Sequence, residues 1–154
     1  MSRIDLHMHS AYSLDADLPV SDLLERCVTN GVSTLAVTDH NSVHSVAEAR
    51  VIGREKGLTI LSGIEIDCAF QGNNYHLLGY GFSGDLADFD GVETAFNTLQ
   101  ADTVPHKLAK LRALGIAIDD ALLYQRAGVN IPHEELMAEL ILDDERNTAH
   151  PLLS

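Results

Sequence analysis

Strand-like and helix-like segments alternate along the first half of this 154-residue chain, and their order constrains the fold more than any other feature. The strand-like runs are residues 3–9, 33–40 and 58–66, and the helix-like segments between them are residues 19–32 and 45–57. The second and third strands are almost continuously apolar, which is typical of parallel strands covered by helices. The sequence therefore predicts an α/β fold with parallel strands, followed by a shorter fourth strand at residues 75–82.

Side chains suited to metal binding or catalysis stand at the ends of these predicted strands. They are His7 and His9 at the end of the first, Asp39 and His40 after the second, Glu65 and Asp67 after the third, and His76 on the fourth. In α/β folds the carboxyl ends of the strands carry the functional residues, whether the sheet is open or closed into a barrel. We therefore expect these side chains to share one site.

The stretch IDLHMHSAYSLDADLP, residues 4–19, contains the first metal-binding pattern. On an alternating strand, His7 and His9 project to the same side, a geometry suited to chelating one cation. An isolated HxH pattern occurs by chance, but here Asp15 follows in the next loop. Mixed imidazole and carboxylate ligands suit zinc, manganese or iron, and a carboxylate such as Glu65 can bridge two ions. The predicted metal ligands, which would also be the catalytic residues through the bound ions, are His7, His9, Asp15, His40, Glu65 and His76.

Two further aspartates have roles that the sequence leaves open. Asp39 directly precedes His40, so it either orients a ligand histidine or forms an Asx turn within TDHN. Asp5 shares the predicted strand face of His7 but lies deeper in the strand. Orientation of a ligand or a structural role is therefore favoured for Asp5 over direct contact with a metal.

The charge balance limits the partners of the chain. With 23 acidic and 10 basic residues, the chain carries a formal charge of −13, which opposes bulk binding of nucleic acid or of an anionic membrane. Bound divalent cations offset this charge locally, so a small phosphate ester or nucleotide remains compatible with the site.

The two cysteines lie outside any CxxC pattern, and neither a signal peptide nor a membrane-spanning run is present in the sequence. We expect a soluble, cytoplasmic protein.

Residues 85–154 differ in character from the preceding part and are predicted to be helical. Helical periodicity is present at residues 96–115 and 132–144, and Asp119 or Asp120 is expected to open a shorter helix that ends at Ala127. The predicted organisation is therefore an α/β portion at residues 1–84 with a helical segment at residues 85–154.

Four ordered motifs in residues 3–82 resemble those of the PHP family, named for polymerase and histidinol phosphatase. The motifs are DLHMHSAYSLDADLP, LAVTDHNSV, GIEI and HLLGY. The resemblance implies a distorted seven-stranded (βα) barrel that holds two or three divalent metal ions and hydrolyses phosphate esters. It also implies that His7, His9 and Glu65 bind one metal, that Glu65 and His76 bind a second, and that Asp15 and His40 bind a third.

The later part of the chain departs from the family pattern. Members of the family also use a histidine after a later strand, often within AHP, and an Asp-x-His pair near the carboxyl terminus. No Asp-x-His pair occurs beyond residue 84, and although TAHP contains His150, the polar DDERNT before it is not a buried strand. We therefore interpret His150 as a mimic of the family ligand, and we expect His106 and His133 to lie on helical surfaces.

Three hypotheses about function follow from this pattern. The first is a PHP-family phosphoesterase in which a metal-activated water attacks the phosphate. The second is a truncated or partner-completed fragment that binds metal but is not competent alone, because a full barrel needs about 250 residues. On this view residues 85–154 resemble a truncated insertion domain, and a homo-oligomer or a missing carboxyl-terminal half would complete the site. The third is a noncatalytic PHP-like module that serves a polymerase through protein contacts.

Overall fold

The computed structural model describes residues 3–83, 86–128 and 130–153. The elements of the first part are β1 (Arg3–Asp5), α1 (Val20–Thr29), β2 (Val32–Val37), α2 (His44–Lys56), β3 (Thr59–Phe70) and β4 (Asn73–Tyr80). The helices of the second part are α3 (Asp90–Ala113), α4 (Asp120–Ala127) and α5 (Glu134–Asp143). Packing divides the chain into one unit at Met1–Thr94 and another at Ala95–Ser154. The boundary predicted between residues 84 and 85 lies outside the described residues.

The sheet of the first unit is parallel over three strands and antiparallel at the fourth. Its order is β1-β2-β3-β4, with parallel pairing from β1 to β3. The parallel prediction is therefore confirmed for three strands, whereas β4, whose direction the sequence left open, pairs with β3 in the antiparallel sense. Only Gln71 and Gly72 separate the two strands, with φ values of 51° and 80°. Two residues can reverse the chain into a hairpin, whereas a parallel connection needs a crossover of a dozen or more.

The first strand is shorter than predicted, because β1 ends at Asp5 rather than at His9. Its register with β2 shifts between Arg3 and Ile4, and the following residues leave the regular ladder. Isolated hydrogen bonds keep them close to the sheet. Thr38 donates from its backbone N to the carbonyl of Met8 at 2.8 Å. The hydroxyl of Tyr80 on β4 donates to the carbonyl of Leu6 at 2.7 Å. His7 and His9 therefore lie in an extended segment beyond the strand.

Helices α1 and α2 cover the parallel strands with the apolar faces that the periodicity predicts. The main core cluster contains Val20, Leu23, Leu24, Cys27, Leu35, Val37 and Ala49. A smaller cluster contains Val43, Val46 and Ile64, of which Ile64 lies in the middle of β3. Ile64 is therefore buried directly next to Glu65, and this packing holds the middle of β3 in place. The third strand is longer than predicted, because β3 continues to Phe70 rather than ending at residue 66. Gly57 adopts φ 71° and ends α2 in the left-handed conformation that glycine accepts without strain.

The second unit has its own apolar core, built from Val104 and Leu108 of α3 together with residues of α4, α5 and the connection Ile116–Ile118. The predicted short helix is confirmed: Asp119 accepts from the backbone N of Leu122 at 3.0 Å, and α4 ends at Ala127. Among the described residues, no helix is long and apolar enough to cross a membrane.

The three later histidines lie in this helical unit. His133 caps α5, and His106 is exposed on α3. Residues Glu145–Asn147 form a 3₁₀ turn rather than a strand, in line with the polar DDERNT sequence. The imidazole Nε2 of His150 is hydrogen-bonded to the carbonyl oxygen of Leu114 at 2.9 Å.

The close approach of β2 and β3 at Gly63 allows a test of the packing around the site. A Cβ at this position would lie 2.6 Å from the carbonyl oxygen of Val37 and 2.8 Å from Cγ2 of Thr38. We expect Gly63→Ala to lower the free energy of unfolding by about 1–3 kcal/mol, because it forces the two strands apart. Urea denaturation of the metal-free protein measures this change.

Gly91→Ala is the matched control, because a Cβ at Gly91 in α3 meets nothing within 4 Å. We expect this variant to keep the wild-type stability or to gain up to about 1 kcal/mol from the better helix propensity of alanine. Equal stability of the two variants would contradict the packing described for Gly63.

Candidate metal centre

The centre is built around the buried carboxylate of Glu65, whose side chain is only 2% exposed. Its Oε2 atom lies 2.7 Å from Nε2 of His7 and 2.9 Å from Nε2 of His9. Its Oε1 atom lies 2.8 Å from Nδ1 of His76, on the neighbouring strand. One carboxylate therefore contacts three imidazoles that come from two different parts of the chain.

Asp15 supplies the second carboxylate, from the loop between β1 and α1. Its Oδ1 atom lies 3.0 Å from Nδ1 of His9, and its Oδ2 atom lies 3.5 Å from Nε2 of His40. Ser13 holds this loop in place, because its hydroxyl donates to Asp15 at 2.6 Å and accepts from the backbone N of His40 at 3.1 Å. The loop is thereby attached directly to the end of β2.

The four imidazoles follow one another in a row. The ring centroids of His7 and His9 lie 5.2 Å apart, those of His9 and His40 4.7 Å, and those of His40 and His76 4.9 Å. The structure thus brings together all six side chains that the sequence selected as ligands. Their assignment to particular metal ions stays a prediction.

Asp67 is a further member of the cluster that the sequence analysis did not select as a ligand. Its Oδ1 atom lies 2.9 Å from Nδ1 of His40 and 3.5 Å from Nε2 of His76. A signal was present, because residues i and i+2 of a strand share a face and Glu65 had been selected. Asp67 also stands directly opposite His76 in the antiparallel pairing of β3 with β4.

A short backbone bridge joins the end of β2 to β3 at the centre of the site. Glu65 donates from its backbone N to the carbonyl of Asp39 at 3.1 Å, and Asn41 donates from its backbone N to the carbonyl of Glu65 at 2.7 Å. His40 therefore pairs with Glu65 as an isolated parallel bridge. These two bonds place the imidazole of His40 beside the carboxylate cluster.

Asp39 and Asp5 make bonds to backbone and hydroxyl groups. The carboxylate of Asp39 is fully buried and accepts from the backbone N of Ser10 at 2.6 Å and from its hydroxyl at 2.9 Å. Burial raises the pKa of Asp39 in spite of these bonds. Asp5 accepts from the backbone N of His7 at 3.3 Å. Both aspartates thus hold the segment that carries His7 and His9, and neither has a described bond to an imidazole.

The electrostatics of the cluster keep its carboxylates ionised. Burial raises the pKa of Glu65, but the hydrogen bond from His7 and the charges of nearby imidazoles outweigh burial and lower it overall. The pKa of Asp15 is also lowered, because bonds from Ser13 and His9 outweigh its burial. The hydrogen bond to Asp67 raises the pKa of His40. Ionised carboxylates are the form that binds a divalent cation.

The cluster has the chemistry and the spacing of a site for metal ions. Three sets of potential ligand atoms lie within 4.8 Å of one another: those of His7, His9 and Glu65, of His9, Asp15 and His40, and of His40, Asp67 and His76. Two ligands of one ion at about 2.0–2.2 Å lie at most about 4.4 Å apart, so small side-chain movements suffice. A neutral imidazole carries one N–H, yet both ring nitrogens of His9 face carboxylates. A cation between these groups satisfies that arrangement.

The link through Ser13 provides a test of how the loop is attached. Ser13→Ala leaves the backbone N–H of His40 without its acceptor in a partly buried place. We expect the free energy of unfolding to fall by about 1–3 kcal/mol, measured by urea denaturation in the presence of a chelator. Ser21→Ala is the control, since Ser21 is exposed and its change should stay within about 0.5 kcal/mol. Equal effects of the two substitutions would rule out the structural role given to Ser13.

Comparison with known proteins finds similarity along most of the chain. The profile of the PHP domain family matches residues 5–115. A 3',5'-nucleoside bisphosphate phosphatase from Chromobacterium violaceum is 27% identical over 121 residues, which cover 79% of this chain and 40% of that protein. A DNA polymerase III of the PolC type from Bacillus cereus is 35% identical over 150 residues, which cover 90% of this chain and 10% of the polymerase.

A solved structure supports the same fold. It is an amidohydrolase from Chromobacterium violaceum with bound sulfate and no metal, 25% identical to this chain with a TM-score of 0.73. The match covers 91% of this chain and 49% of that one. The predicted fold class, a PHP-type (βα) barrel that is incomplete in this chain, is therefore confirmed. The chain spans less than half the length of each of these three proteins.

Proposed function

This chain belongs to the PHP domain family, and from that premise we propose that it hydrolyses phosphate esters with the help of divalent metal ions. The observation that carries the proposal is the buried carboxylate of Glu65 in contact with three imidazoles, with further imidazole and carboxylate ligands directly beside it. Two or three ions of zinc, manganese or iron suit this mixed nitrogen and oxygen donor set.

The proposed ligands divide among the ions as the family resemblance implies. His7, His9 and Glu65 would hold one ion, Glu65 and His76 a second, and Asp15 and His40 a third. When bound, such ions lower the pKa of a water molecule and neutralise the charge of phosphate oxygens. The role of the chain's own residues is to hold the ligands in place and to keep one side of the centre open.

The burial of the ligands indicates the side from which a substrate approaches. The side chains of His7 and His76 are 51% and 57% exposed, whereas Glu65 between them is buried. A phosphate group therefore reaches the centre from the side of these two imidazoles. The carboxylate of Glu65 lies deeper than these two imidazoles, whereas the side chain of Asp15 is 36% exposed.

Attack by water, rather than by a side chain, fits the serines near the centre. The hydroxyl of Ser10 is fully buried and donates to Asp39, so it does not reach a substrate. Ser13 is also buried and donates to Asp15. Neither is free to form a covalent intermediate, so a water molecule is the proposed nucleophile.

A small phosphate ester or nucleotide is the proposed substrate class. The formal charge of −13 repels long polyanions, while the ions of the centre attract a single phosphate group. The relative from Chromobacterium violaceum that is named as a nucleoside bisphosphate phosphatase supports the same class. A cytoplasmic location is proposed with it, since Cys27 and Cys68 are both unpaired.

Two alternatives rest on specific observations. The chain covers 49% of the solved amidohydrolase, which favours a portion that binds metal but needs further chain or a partner subunit for turnover. The similarity to a PolC-type polymerase favours a PHP-like module that acts through protein contacts. Copurification of a polymerase subunit with a chain that shows no hydrolysis would support the second alternative.

Metal content and hydrolysis of the mass-verified 154-residue chain test the proposal together. We expect bound zinc, manganese or iron after reconstitution, and hydrolysis of p-nitrophenyl phosphate or adenosine 3',5'-bisphosphate. In the double variant His7→Ala, His9→Ala, at least one bound ion should be lost and hydrolysis should fall to the level of the buffer. Elemental analysis and release of inorganic phosphate give the two readouts.

His106→Ala is the matched control, because His106 is an exposed imidazole on α3. It should keep the metal content and turnover of the wild type. Absence of bound metal in the reconstituted wild type would refute the proposed function. Bound metal without hydrolysis would favour the incomplete portion, and robust turnover would refute that alternative.

A further inference from the structure

The side chain of Asp67 is held on both of its oxygens. Oδ1 faces Nδ1 of His40 at 2.9 Å, while Oδ2 accepts from Nδ2 of Asn41 at 2.9 Å. Asn41 in turn accepts at Oδ1 from the backbone N of Asp67 at 2.9 Å. Asn41 and Asp67 therefore form a two-bond clamp in which each group has a defined donor or acceptor role.

The clamp is well suited to an asparagine at position 41. Asn41 is 2% exposed and has φ 55°, a left-handed conformation that asparagine tolerates better than most residues. Its amide has an acceptor oxygen and an NH₂ donor group, which match the backbone N–H and the carboxylate of Asp67. Because the backbone bond sets which end of the amide is Oδ1, the Nδ2 atom must donate to the side chain of residue 67.

A carboxylate only accepts hydrogen bonds, so Nδ1 of His40 must carry the proton that it shares with Asp67. The other ring nitrogen, Nε2, points to the opposite side, where Asp15 lies 3.5 Å away. We propose that Asp67, clamped by Asn41, is a positioning residue that holds His40 in the Nδ1–H tautomer and leaves Nε2 free to bind a metal ion together with Asp15. This inference deepens the proposed function and rests on its metal centre.

An alternative use of Asp67 is as a direct ligand, because its Oδ1 also lies 3.5 Å from Nε2 of His76. The geometry favours positioning for two reasons. Both oxygens already have partners at 2.9 Å, and Oδ1 lies closer to Nδ1 of His40 than to Nε2 of His76. Histidine ligands commonly donate their second N–H to a carboxylate that sets the tautomer and the ring orientation.

Exchange of the two side chains tests the tautomer directly. In Asp67→Asn, Nδ2 of Asn41 still requires an acceptor, so the new amide must turn its oxygen to Asn41 and its NH₂ group to His40. Nδ1 of His40 then loses its proton, and the ring takes the Nε2–H tautomer. In the double variant Asn41→Asp, Asp67→Asn, the carboxylate at position 41 accepts from the NH₂ group, and the amide oxygen at position 67 again accepts from Nδ1–H. The double variant has the same net charge as the wild type.

Two readouts follow these variants. Long-range ¹H–¹⁵N correlation spectra of the metal-free protein, above the imidazole titration, identify the His40 tautomer, with the signals assigned by their absence in His40→Gln. Competition with a chromogenic chelator gives the affinity for Mn²⁺ and Zn²⁺. For Asp67→Asn we expect the Nε2–H tautomer and affinity weakened by about 10–100-fold. The double variant should return the Nδ1–H tautomer and most of the affinity.

Asp143→Asn controls for charge alone, because it removes one exposed carboxylate at the end of α5 and should match the wild type.

Retention of the Nδ1–H tautomer in Asp67→Asn overturns the inference. A folded double variant that has the Nε2–H tautomer also overturns the inference. A folded double variant whose metal affinity stays weakened overturns it too, and that is the result expected if Asp67 were itself a ligand. If Asp67→Asn does not fold, the double variant decides alone by the same two readouts. A wild type that binds no metal refutes the proposed function, while the tautomer of the metal-free chain still tests this inference.

Discussion

The burial of the Glu65 carboxylate is the constraint on which the rest of the site depends. An ionised carboxylate that is 2% exposed is costly unless positive or polar partners surround it. Here the partners are imidazoles at 2.7–2.9 Å, which come from the segment after β1 and from β4. The apolar packing of Ile64 and the bridge between His40 and Glu65 hold this carboxylate in position. The position of the centre is therefore fixed by one residue in the middle of β3.

The fourth strand contributes to the site through its direction. A hairpin returns the chain alongside β3, so each residue near its start lies opposite one near the end of β3. His76 is thus placed across from Asp67 and beside Glu65, although it lies well inside β4. A parallel fourth strand would have carried its functional residues at its carboxyl end. The antiparallel pairing explains how a histidine inside β4 joins Glu65 and Asp67, which lie inside β3.

The sequence predicted which side chains lie together better than it predicted the geometry that assembles them. Residue type and position were enough to select His7, His9, Asp15, His40, Glu65 and His76, which the structure places together. The length of the first strand was overestimated, because alternation continues to His9 while the hydrogen-bond ladder ends at Asp5. Alternation reports on which face a side chain occupies, whereas a strand also requires a neighbour in register.

The contacts of Asp67 with Asn41 and His40 could not be predicted from the sequence. The sequence alone determined an α/β order and the choice of imidazoles and carboxylates near the strands, because apolar periodicity and residue chemistry are local properties of the chain. Only the tertiary structure decided that β4 runs antiparallel, that Asp39 bonds to Ser10, and that Asn41 clamps Asp67 against His40. Those outcomes depend on distances between residues more than 25 positions apart or on a strand direction, and a linear pattern contains neither.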